Sequence, residues 1–286
     1  MSIMEILVDI WSKTGRKVWY KVFDKPPFVA IGSKIYPLLP ERVVKKAINV
    51  GFKKRSFWAE LVIAGHNEYY KKLSNEKIEE LNRKLIWGGE AYEWHLSKLE
   101  EYKKDFDEKF LKYKINLINE LKKIDLKNFN IVEIGCGNGV FLEYLSKNIE
   151  ANRYIGFDIS KEIIEFNKKY YKNNHLEFYS IDIYDFIKLN MCSNTVFITS
   201  GVLMYFTQEF LENLIKDLKN EDKRIIFALN EIVTKDFDKQ KESVSNARFA
   251  YNHNYKYLFE KYNWEIMHYK YISKINRVDL IAKNKE

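Results

Sequence analysis

Cysteine, proline and long apolar runs are scarce in this chain of 286 residues, and each scarcity excludes a class of protein. With only two cysteines the chain cannot carry a disulfide framework. The absence of any run of about 18 apolar residues predicts that no helix spans a membrane. Glu5 and Asp9 lie where a secretory signal is first basic and then apolar. We therefore expect a cytoplasmic protein, and its 46% of hydrophobic residues is enough for a sizeable core.

Proline is confined to one stretch of the chain. All four prolines lie between residues 26 and 40, and proline lacks the backbone N–H that a helix interior or a central strand needs. The sequence therefore predicts an irregular or extended segment over about 24–40. A helix is predicted to follow from Glu41, where apolar residues recur at helical spacing.

Positive charge is concentrated at the beginning of the chain. Residues 1–60 contain 12 Lys or Arg and 5 Asp or Glu, a balance of +7 out of +8 for the whole chain, and aromatic residues alternate with the cations. One interpretation is docking on an acidic glycan or at the inner face of an anionic membrane. A second is contact with nucleic acid through phosphates and stacking. A third is a subdomain whose aromatic residues pack while its lysines are solvated.

Helical periodicity continues to about residue 124. Gly88-Gly89 separates one amphipathic pattern from a longer one over about 90–124. The two glycines indicate either a corner between helices or the hinge of a lid, which would bring one of three side chains near a ligand: Tyr92, Trp94 or His95. We expect two domains, a helical extension over residues 1–110 and an α/β domain over residues 111–286.

A strand, a glycine-rich turn and a helix follow one another from residue 131. The strand is a short apolar run typical of a buried parallel strand. It leads into three glycines at alternate positions, in the sequence Ile131-Val132-Glu133-Ile134-Gly135-Cys136-Gly137-Asn138-Gly139. Glycine tolerates positive φ and has no Cβ, so a ligand can lie against the main chain near the N–H groups that open the helix. The fingerprint of NAD-binding folds needs a glycine at position 140, where this chain has valine.

This stretch resembles motif I of the class I S-adenosylmethionine-dependent methyltransferases, in which an acidic residue precedes a Gly-Cys-Gly-x-Gly turn. The resemblance covers about residues 110–286 and implies a Rossmann-like, seven-stranded, mostly parallel sheet with helices on both faces. It also implies S-adenosylmethionine as the cofactor and S-adenosylhomocysteine as the product. The cofactor-binding residues that it implies in this stretch are Glu133, Gly135, Cys136, Gly137, Asn138 and Gly139.

Acidic residues end the next two predicted strands. Asp158 ends the strand of residues 154–158, and its two oxygens can accept both hydroxyls of a ribose. The resemblance implies this role, with Ile159 beside the cofactor; the alternative is an Asp158 that only begins a helix. Asp182 ends the strand of residues 176–182. The resemblance implies that Asp182 accepts from the adenine amino group while the Ile183 N–H contacts the ring; the alternative is an ordinary strand-end residue.

The fourth predicted strand, residues 195–200, resembles the strand that carries the chain past the methyl group in this family. The resemblance therefore implies cofactor contacts for Ser200 and Gly201. Tyr205 lies where many small-molecule methyltransferases have a histidine. The strand lacks the Asn-Pro-Pro or Asp-Pro-Pro signature of DNA and protein-glutamine enzymes that methylate amino groups. Nucleic acid is therefore not the expected acceptor.

The residues beyond the predicted fifth strand, 224–229, contain the candidate catalytic groups. Transfer to an alcohol needs a general base, and His253 lies in a polar, aromatic stretch that we expect near the carboxyl edge of the sheet. The alternative for His253 is a helix residue without a catalytic part. Glu231 is the second candidate base. The neighbours that could hydrogen-bond a polyhydroxylated acceptor are Arg248, Tyr251, Asn252 and Asn254.

No group of His, Asp and Glu has metal-ligand spacing, so we expect no metal, although Asp182 and Glu231 could supply oxygen ligands. Two further segments, residues 264–271 and 278–282, resemble the antiparallel pair that closes the methyltransferase sheet.

The expected function is O-methylation of a sugar hydroxyl, on a nucleotide-activated or polysaccharide-linked sugar. The alternatives are a small-molecule or lipid methyltransferase, an RNA methyltransferase, or a non-catalytic module that binds S-adenosylmethionine. The sequence does not indicate an oligomeric state.

Overall fold

A computed structural model describes residues 26–40, 42–44, 47, 57–70, 91–173, 175–188, 194–219, 224–246 and 250–284. The chain divides into two compact units, one of residues 1–91 with 247–249 and the other of residues 92–246 with 250–286. The border lies before the predicted boundary at residue 110, since Leu99 already packs in the core of the second unit. Among the described residues, no helix is both long and apolar enough to cross a membrane.

The first unit contains helix α1 (Pro26–Ile35), a 3₁₀ turn (Tyr36–Leu38) and helix α2 (Phe57–Tyr70). The prediction of an irregular segment over 24–40 is therefore wrong for α1. Its two prolines occupy the first helical turn, where the backbone N–H has no helical partner to lose. Most of the helix predicted from Glu41 lies outside the described residues.

The predicted long helix over 90–124 is broken into shorter pieces. They are α3 (Ala91–Lys104), α4 (Phe106–Lys109), a 3₁₀ turn (Leu111–Tyr113) and α5 (Ile115–Leu121). Asp105 is responsible for the first break, because its carboxylate accepts a hydrogen bond from the Glu108 N–H at 3.2 Å and so caps a new helix. The glycine pair at 88–89 lies outside the described residues.

The second unit is built on a seven-stranded sheet, which confirms the predicted fold class. The strand order is β3-β2-β1-β4-β5-β9-β8. Strands β1 to β5 are parallel, and β9 is antiparallel to both β5 and β8. The strands are β1 (Asn130–Ile134), β2 (Arg153–Asp158), β3 (Leu176–Ser180), β4 (Thr195–Ser200), β5 (Ile225–Ile232), β8 (Glu265–Ile272) and β9 (Arg277–Lys283).

Helices cover both faces of this sheet, over two apolar cores. They are α6 (Val140–Asn148), α7 (Lys161–Tyr170), α8 (Ile183–Lys188), α9 (Gln208–Lys219) and α10 (Tyr255–Lys261). A two-stranded hairpin of β6 (Val244–Asn246) and β7 (Ala250–Asn252) follows β5, in a stretch where the sequence predicted no strand. Parallel strands β1 and β4 are neighbours although β2 and β3 separate them in the chain, so the strand order reverses between them, and open α/β sheets bind ligands at such a point.

Candidate functional site

The glycine loop between β1 and α6 has the backbone conformation that the sequence predicts. Gly135, Gly137 and Gly139 have φ angles of 65°, 48° and 73°, a region that favours glycine. Side chains of other residues already occupy the space that Cβ atoms on these glycines would fill. A Cβ on Gly135 would lie 2.7 Å from Val202 Cγ2, and one on Gly139 would lie 2.6 Å from Tyr171 Cε2. These two glycines are therefore needed for close packing as well as for the turn.

Side chains from the neighbouring elements hold the loop in place. The Gly137 N–H donates to Asp158 Oδ2 at 3.1 Å, and Asn167 Nδ2 donates to the Gly137 carbonyl at 2.7 Å. The Tyr171 hydroxyl donates to the Asn138 carbonyl at 2.7 Å. Because each of these groups is buried, the loop is ordered before any ligand arrives.

Asp158 ends β2 beside this loop, as the sequence predicts. Its Oδ1 accepts from the Ser160 N–H at 2.9 Å while Oδ2 accepts from Gly137. Ser160, not Asp158, is the N-cap residue of α7. A carboxylate oxygen can accept two hydrogen bonds, so both oxygens keep capacity for hydroxyl groups. Ile159 follows with 37% of its side chain exposed, which leaves an apolar surface next to the carboxylate.

Helix α3 brings His95 onto the glycine loop. A Cβ on Gly137 would lie 2.5 Å from His95 Cε1, and the His95 carbonyl accepts from Asn138 Nδ2 at 3.1 Å. Burial lowers the pKa of His95, and the charge of Asp158 acts against that shift. The two interpretations of the glycine pair at 88–89 stay predictions, because that pair lies outside the described residues. Trp94 and Tyr92 are half-buried and contact other rings: Trp94 packs edge-on against His95, and Tyr92 against Phe166.

Asp182 and Ile183 begin α8 at the end of β3. Asp182 is half-buried, and its Oδ1 accepts from the Asp185 N–H at 3.0 Å, which caps the helix. The side chain of Ile183 is buried in the core. An adenine contact stays a prediction for both residues.

Ser200 and Gly201 end β4 at the same edge of the sheet. Gly201 has a φ of 73°, and its missing Cβ points into space where Arg277 Nη2, at 3.6 Å, is the nearest atom. Val202 then packs on Gly135, so the turn after β4 touches the glycine loop directly. The sequence-predicted cofactor residues are therefore brought together around one edge of β1, β2 and β4, as the resemblance implies.

Glu133 projects from β1 into the interior, opposite a lysine that the sequence analysis missed. Burial raises the pKa of Glu133 well above its usual range, and the nearby Lys114 acts against that shift. Lys114 is 9% exposed, and its ammonium lies over the rings of Phe110 and Phe141 at 4.3 and 5.4 Å. Burial lowers the pKa of Lys114 to about 7. Nothing in the sequence distinguishes Lys114, because it is one of many lysines in an amphipathic region.

Glu231 is buried within β5 and holds the turn after β4. Its Oε1 accepts from Thr199 Oγ1 at 2.9 Å and from the Val202 N–H at 3.2 Å. Burial raises the pKa of this carboxyl, and the two hydrogen bonds act against the shift. This placement makes Glu231 a positioning residue for the turn, and its role as a base stays a prediction.

His253 lies just before α10 and is completely buried, with 0% of its surface exposed. Its Nδ1 is 2.6 Å from Ser243 Oγ, and burial lowers its pKa to about 3, so the ring is neutral near pH 7. Asn252 accepts from the Thr234 N–H, and Asn254 caps α10 and donates to two carbonyls. The amides predicted to bind an acceptor are thus engaged with the protein, and Arg248 lies outside the described residues. The part of His253 as a base stays a prediction.

A polar network beside Ser200 was not predicted from the sequence. Arg277 Nη1 donates to the Asn230 carbonyl at 2.8 Å, to Ser200 Oγ at 3.3 Å and to Asn230 Oδ1. Asn230 Nδ2 donates to Asp279 Oδ1 at 2.5 Å and to the Tyr113 carbonyl at 2.9 Å. Burial raises the pKa of Asp279 to about 6. The sequence feature that could have indicated this network is Asp279, a charged residue inside the apolar run Val278–Ala282. Within the described part of the chain, no group of His, Cys, Asp and Glu is arranged to hold a metal ion.

Comparison with known proteins identifies the domain. Residues 131–221 match the family model described as a methyltransferase domain. Over 132 residues the chain is 29% identical to the ribosomal RNA small subunit methyltransferase A of Mesomycoplasma hyopneumoniae strain 232, a match that covers 46% of this chain and 49% of the relative. The chain thus spans about half the length of the curated relatives it matches.

The chain was also compared with solved structures, and one of them shares the fold. One is a chain of the complex between the Haloferax volcanii Trm112 methyltransferase activator and a candidate methyltransferase: its TM-score is 0.51 at 10% identity, over 68% of this chain and 96% of that one. A second, a candidate S-adenosylmethionine-dependent methyltransferase from Listeria monocytogenes, has a TM-score of 0.43 at 16% identity, over 59% and 98%.

The family match agrees with the predicted class. Residues 131–221 match a methyltransferase domain, and the cofactor that goes with this match is S-adenosylmethionine. The geometry fits that cofactor: the Asp158 carboxylate keeps acceptor capacity for ribose hydroxyls, and the exposed Ile159 offers an apolar surface to the base beside it.

Proposed function

We propose that the protein is an S-adenosylmethionine-dependent methyltransferase that methylates a hydroxyl group of a sugar, on a nucleotide-activated or polysaccharide-linked acceptor. The observation that carries the methyl transfer is the contact between the glycine loop, Asp158 and the turn at Gly201 at the carboxyl edge of one sheet. These residues belong to the part of the chain that matches the methyltransferase domain.

The sulfonium of S-adenosylmethionine supplies the activated methyl group, so the protein has mainly to position and dehydrate the reacting groups. Asp158 binds the ribose hydroxyls, and the ordered glycine loop fixes the main chain beside them. Helix α3 covers the loop through His95 and excludes water from it. Glu231 fixes the turn at Val202, past which the acceptor reaches the methyl group.

Three features support an oxygen acceptor on a sugar. The turn after β4 lacks the Asn-Pro-Pro or Asp-Pro-Pro signature with which amino-methylating enzymes hold a nitrogen. The first 60 residues are rich in aromatic and basic residues, which suit a sugar ring and an acidic glycan. Finally, two candidate bases lie beyond β4 in the chain: Glu231 within β5 and His253 after β7.

The ribosomal RNA methyltransferase relatives favour a second candidate, methylation of RNA. The opening at Gly201 also suits a small molecule or a lipid headgroup, which would place the activity at the inner face of a membrane. A chain that binds S-adenosylmethionine without using it is the remaining alternative. Each alternative differs in the molecule that receives the methyl group.

The test is incubation of the full chain with methyl-labelled S-adenosylmethionine and a panel of nucleotide-activated sugars, polysaccharides, lipids and ribosomal RNA. We expect label in a sugar fraction. Label in RNA or in a lipid, and in no sugar, would contradict the sugar acceptor. Binding of the cofactor with no S-adenosylhomocysteine formed from any acceptor would contradict methyl transfer itself.

The base is tested on the same labelled product with two variants. Under our proposal for His253, the His253→Ala variant loses turnover at least a hundredfold and keeps its affinity for S-adenosylhomocysteine. The Glu231→Gln variant gives the same pattern if Glu231 is the base instead. Turnover within threefold of wild type in both variants would leave proton removal to the solvent and would contradict both assignments.

A further inference from the structure

Arg277 is the first residue of β9, and only one end of its guanidinium is held by hydrogen bonds to the described residues. Nη1 makes all of the hydrogen bonds, and they go to the Asn230 carbonyl, Asn230 Oδ1 and Ser200 Oγ, which are neutral acceptors. Among the described residues, no carboxylate oxygen lies within 4.0 Å of the guanidinium. Within the described residues, the cation therefore has no carboxylate in direct contact, and the charges of Glu231 and Asp279 act on it only from farther away.

The other end of the guanidinium faces the opening at Gly201. Among the described residues, Nη2 is the only atom within 4 Å of the position that a Gly201 Cβ would occupy, and it lies at 3.6 Å. The three glycines of the cofactor loop differ, because Val202, His95 and Tyr171 fill the corresponding space beside them. Of these four glycines with positive φ, Gly201 alone has room for a Cβ without a clash against the described residues.

The guanidinium is also fixed in orientation. The ring of Tyr113 lies 5.9 Å from its central carbon, and the Tyr113 carbonyl accepts from the same Asn230 side chain that contacts Nη1. Asn230 is in turn held by Asp279. An arginine fixed in this way loses little side-chain entropy when it binds a ligand, so its free N–H groups are ready for one.

Nη2 and Nε form the side of the guanidinium that binds planar anions with two parallel hydrogen bonds. In the described part of the chain, no hydrogen bond uses either nitrogen. Gly201 follows Ser200 at the end of β4, on the turn past which, under the proposed function, the acceptor approaches the methyl group. A group bound at Nη2 therefore lies on the acceptor side of the site.

We propose that Arg277 binds an anionic group of the acceptor, a phosphate or a carboxylate, in the opening beside Gly201. This proposal rests on the proposed methyltransferase function and narrows its substrates to acidic ones, such as a sugar that carries a phosphate or a carboxylate. It also assigns a reason for glycine at position 201: a side chain there would enter the space next to Nη2.

The test titrates the full-length protein with inorganic phosphate and, separately, with acetate, in the absence and presence of saturating S-adenosylhomocysteine. Sodium chloride of equal ionic strength serves as the blank, and binding is followed by calorimetry. We expect saturable binding of at least one anion to wild type, and at least tenfold weaker binding to Arg277→Gln. The anion that binds distinguishes a phosphate from a carboxylate on the acceptor.

Arg224→Gln is the matched control, because it removes the same charge from an exposed residue just before β5, at the opposite edge of the sheet. It should bind the anion as wild type does. Arg277→Lys keeps the positive charge but loses the planar guanidinium. Its affinity for the anion should therefore lie between those of wild type and Arg277→Gln. Unchanged affinity of Arg277→Gln for S-adenosylhomocysteine shows that this variant is folded. If Arg277→Gln does not fold, the anion affinity of Arg277→Lys decides whether Arg277 binds the anion.

Three results would overturn the proposal. Anion binding that is absent in wild type is one, and anion binding of equal strength in Arg277→Gln is another. The third is a tenfold loss of S-adenosylhomocysteine affinity in Arg277→Gln with no loss for 5′-methylthioadenosine, which would assign Arg277 to the amino-acid part of the cofactor. Failure of wild type to bind S-adenosylhomocysteine would contradict the proposed function instead, and the titrations without it would still decide the role of Arg277.

Discussion

Asp158 holds the glycine loop and is also the predicted ribose acceptor. Its oxygens accept from the N–H groups of Gly137 and Ser160, so the residue joins the glycine loop to the end of β2. Hydrogen bonds to a charged acceptor contribute more than neutral ones. The same oxygens keep acceptor capacity for the predicted ribose contact. We therefore expect a substitution at Asp158 to change the loop and the ligand contact together.

We predict that Asp158→Ala weakens binding of S-adenosylhomocysteine at least tenfold. It should also lower the free energy of unfolding by about 1–3 kcal/mol, since the Gly137 and Ser160 N–H groups lose their acceptor inside the protein. Calorimetry and urea unfolding measure the two effects. Asp217→Ala, on an exposed position of α9, is the control and should change neither. Wild-type affinity in Asp158→Ala would remove Asp158 from the cofactor site.

Lys114 makes the stability of the protein depend on pH. Its pKa is about 7 in the folded protein, against a usual value of 10.5. Between these two pH values the unfolded chain binds the proton and the folded protein does not, so the free energy of unfolding rises with pH. Burial of the charged ammonium therefore lowers the free energy of unfolding most below pH 7, and this penalty decreases as the pH rises above 7.

We predict that Lys114→Met removes this rise. From pH 7 to pH 9 the free energy of unfolding of wild type should increase by roughly 2 kcal/mol relative to the variant, because each pH unit between the two pKa values contributes at most about 1.4 kcal/mol. Urea unfolding at the two pH values measures the difference. Lys122→Met, at an exposed position, should behave as wild type. Parallel pH curves for wild type and Lys114→Met would contradict the lowered pKa.

At the scale of elements, helix α3 and the glycine loop form one packed pair. His95 lies where a side chain on Gly137 would project, and its carbonyl binds Asn138. The glycine loop itself could be predicted from the sequence, because strand, turn and helix are adjacent in the chain and the spacing of the glycines is local. The contact with His95 could not, because it joins residues 43 positions apart through a helix whose beginning follows an interrupted pattern.

We predict that Gly137→Ala is destabilising for two separable reasons. The new Cβ meets His95 at 2.5 Å, and alanine at a φ of 48° is strained. In the double variant with His95→Ala the collision disappears and the strain remains. The loss of unfolding free energy should therefore be smaller in the double variant than the sum of the two single losses, as measured by urea unfolding. Strict additivity would mean that His95 does not contact Gly137 in solution.

The turn after β4 depends on Glu231, and a pair of variants separates its positioning role from its charge. Glu231→Gln keeps an oxygen that can accept from Thr199 and Val202, whereas Glu231→Ala leaves both donors buried without a partner. We predict that Glu231→Ala loses about 1–3 kcal/mol of unfolding free energy, and that Glu231→Gln loses less. Thermal unfolding with calorimetric enthalpies measures both. Equal losses would show that the charge of Glu231, rather than its hydrogen bonds, holds the turn.

At the scale of the whole molecule, the order of strands and helices from residue 130 onward was predictable, because apolar strands and amphipathic helices alternate there with short connections. The polar network was not predictable in the same way. Arg277 and Ser200 are 77 positions apart and meet only because β9 inserts between β5 and β8. The helix at Pro26 escaped prediction for another reason: two prolines that break a helix interior are tolerated at its beginning.

Charge at the molecular scale predicts a binding partner for the beginning of the chain. Residues 1–60 carry +7 of the +8 net charge, so we expect the full chain to bind vesicles with anionic headgroups, and more weakly as salt is raised. Deletion of residues 1–60 should abolish vesicle binding in a flotation assay and leave binding of S-adenosylhomocysteine unchanged. Vesicle binding that survives the deletion would contradict a docking role for this segment.

Cys136 lies in the middle of the methyl-donor loop, where a reactive sulfur would be a weak point. Its side chain is buried against Gly156 of β2, where a Cβ would come within 2.9 Å of the sulfur, and burial raises the pKa of the thiol well above its usual range. The nucleophilic thiolate is therefore suppressed at physiological pH. We therefore expect the Cys136 thiol to react slowly with peroxide and alkylating reagents, so that binding of the cofactor is insensitive to the redox state of the cell.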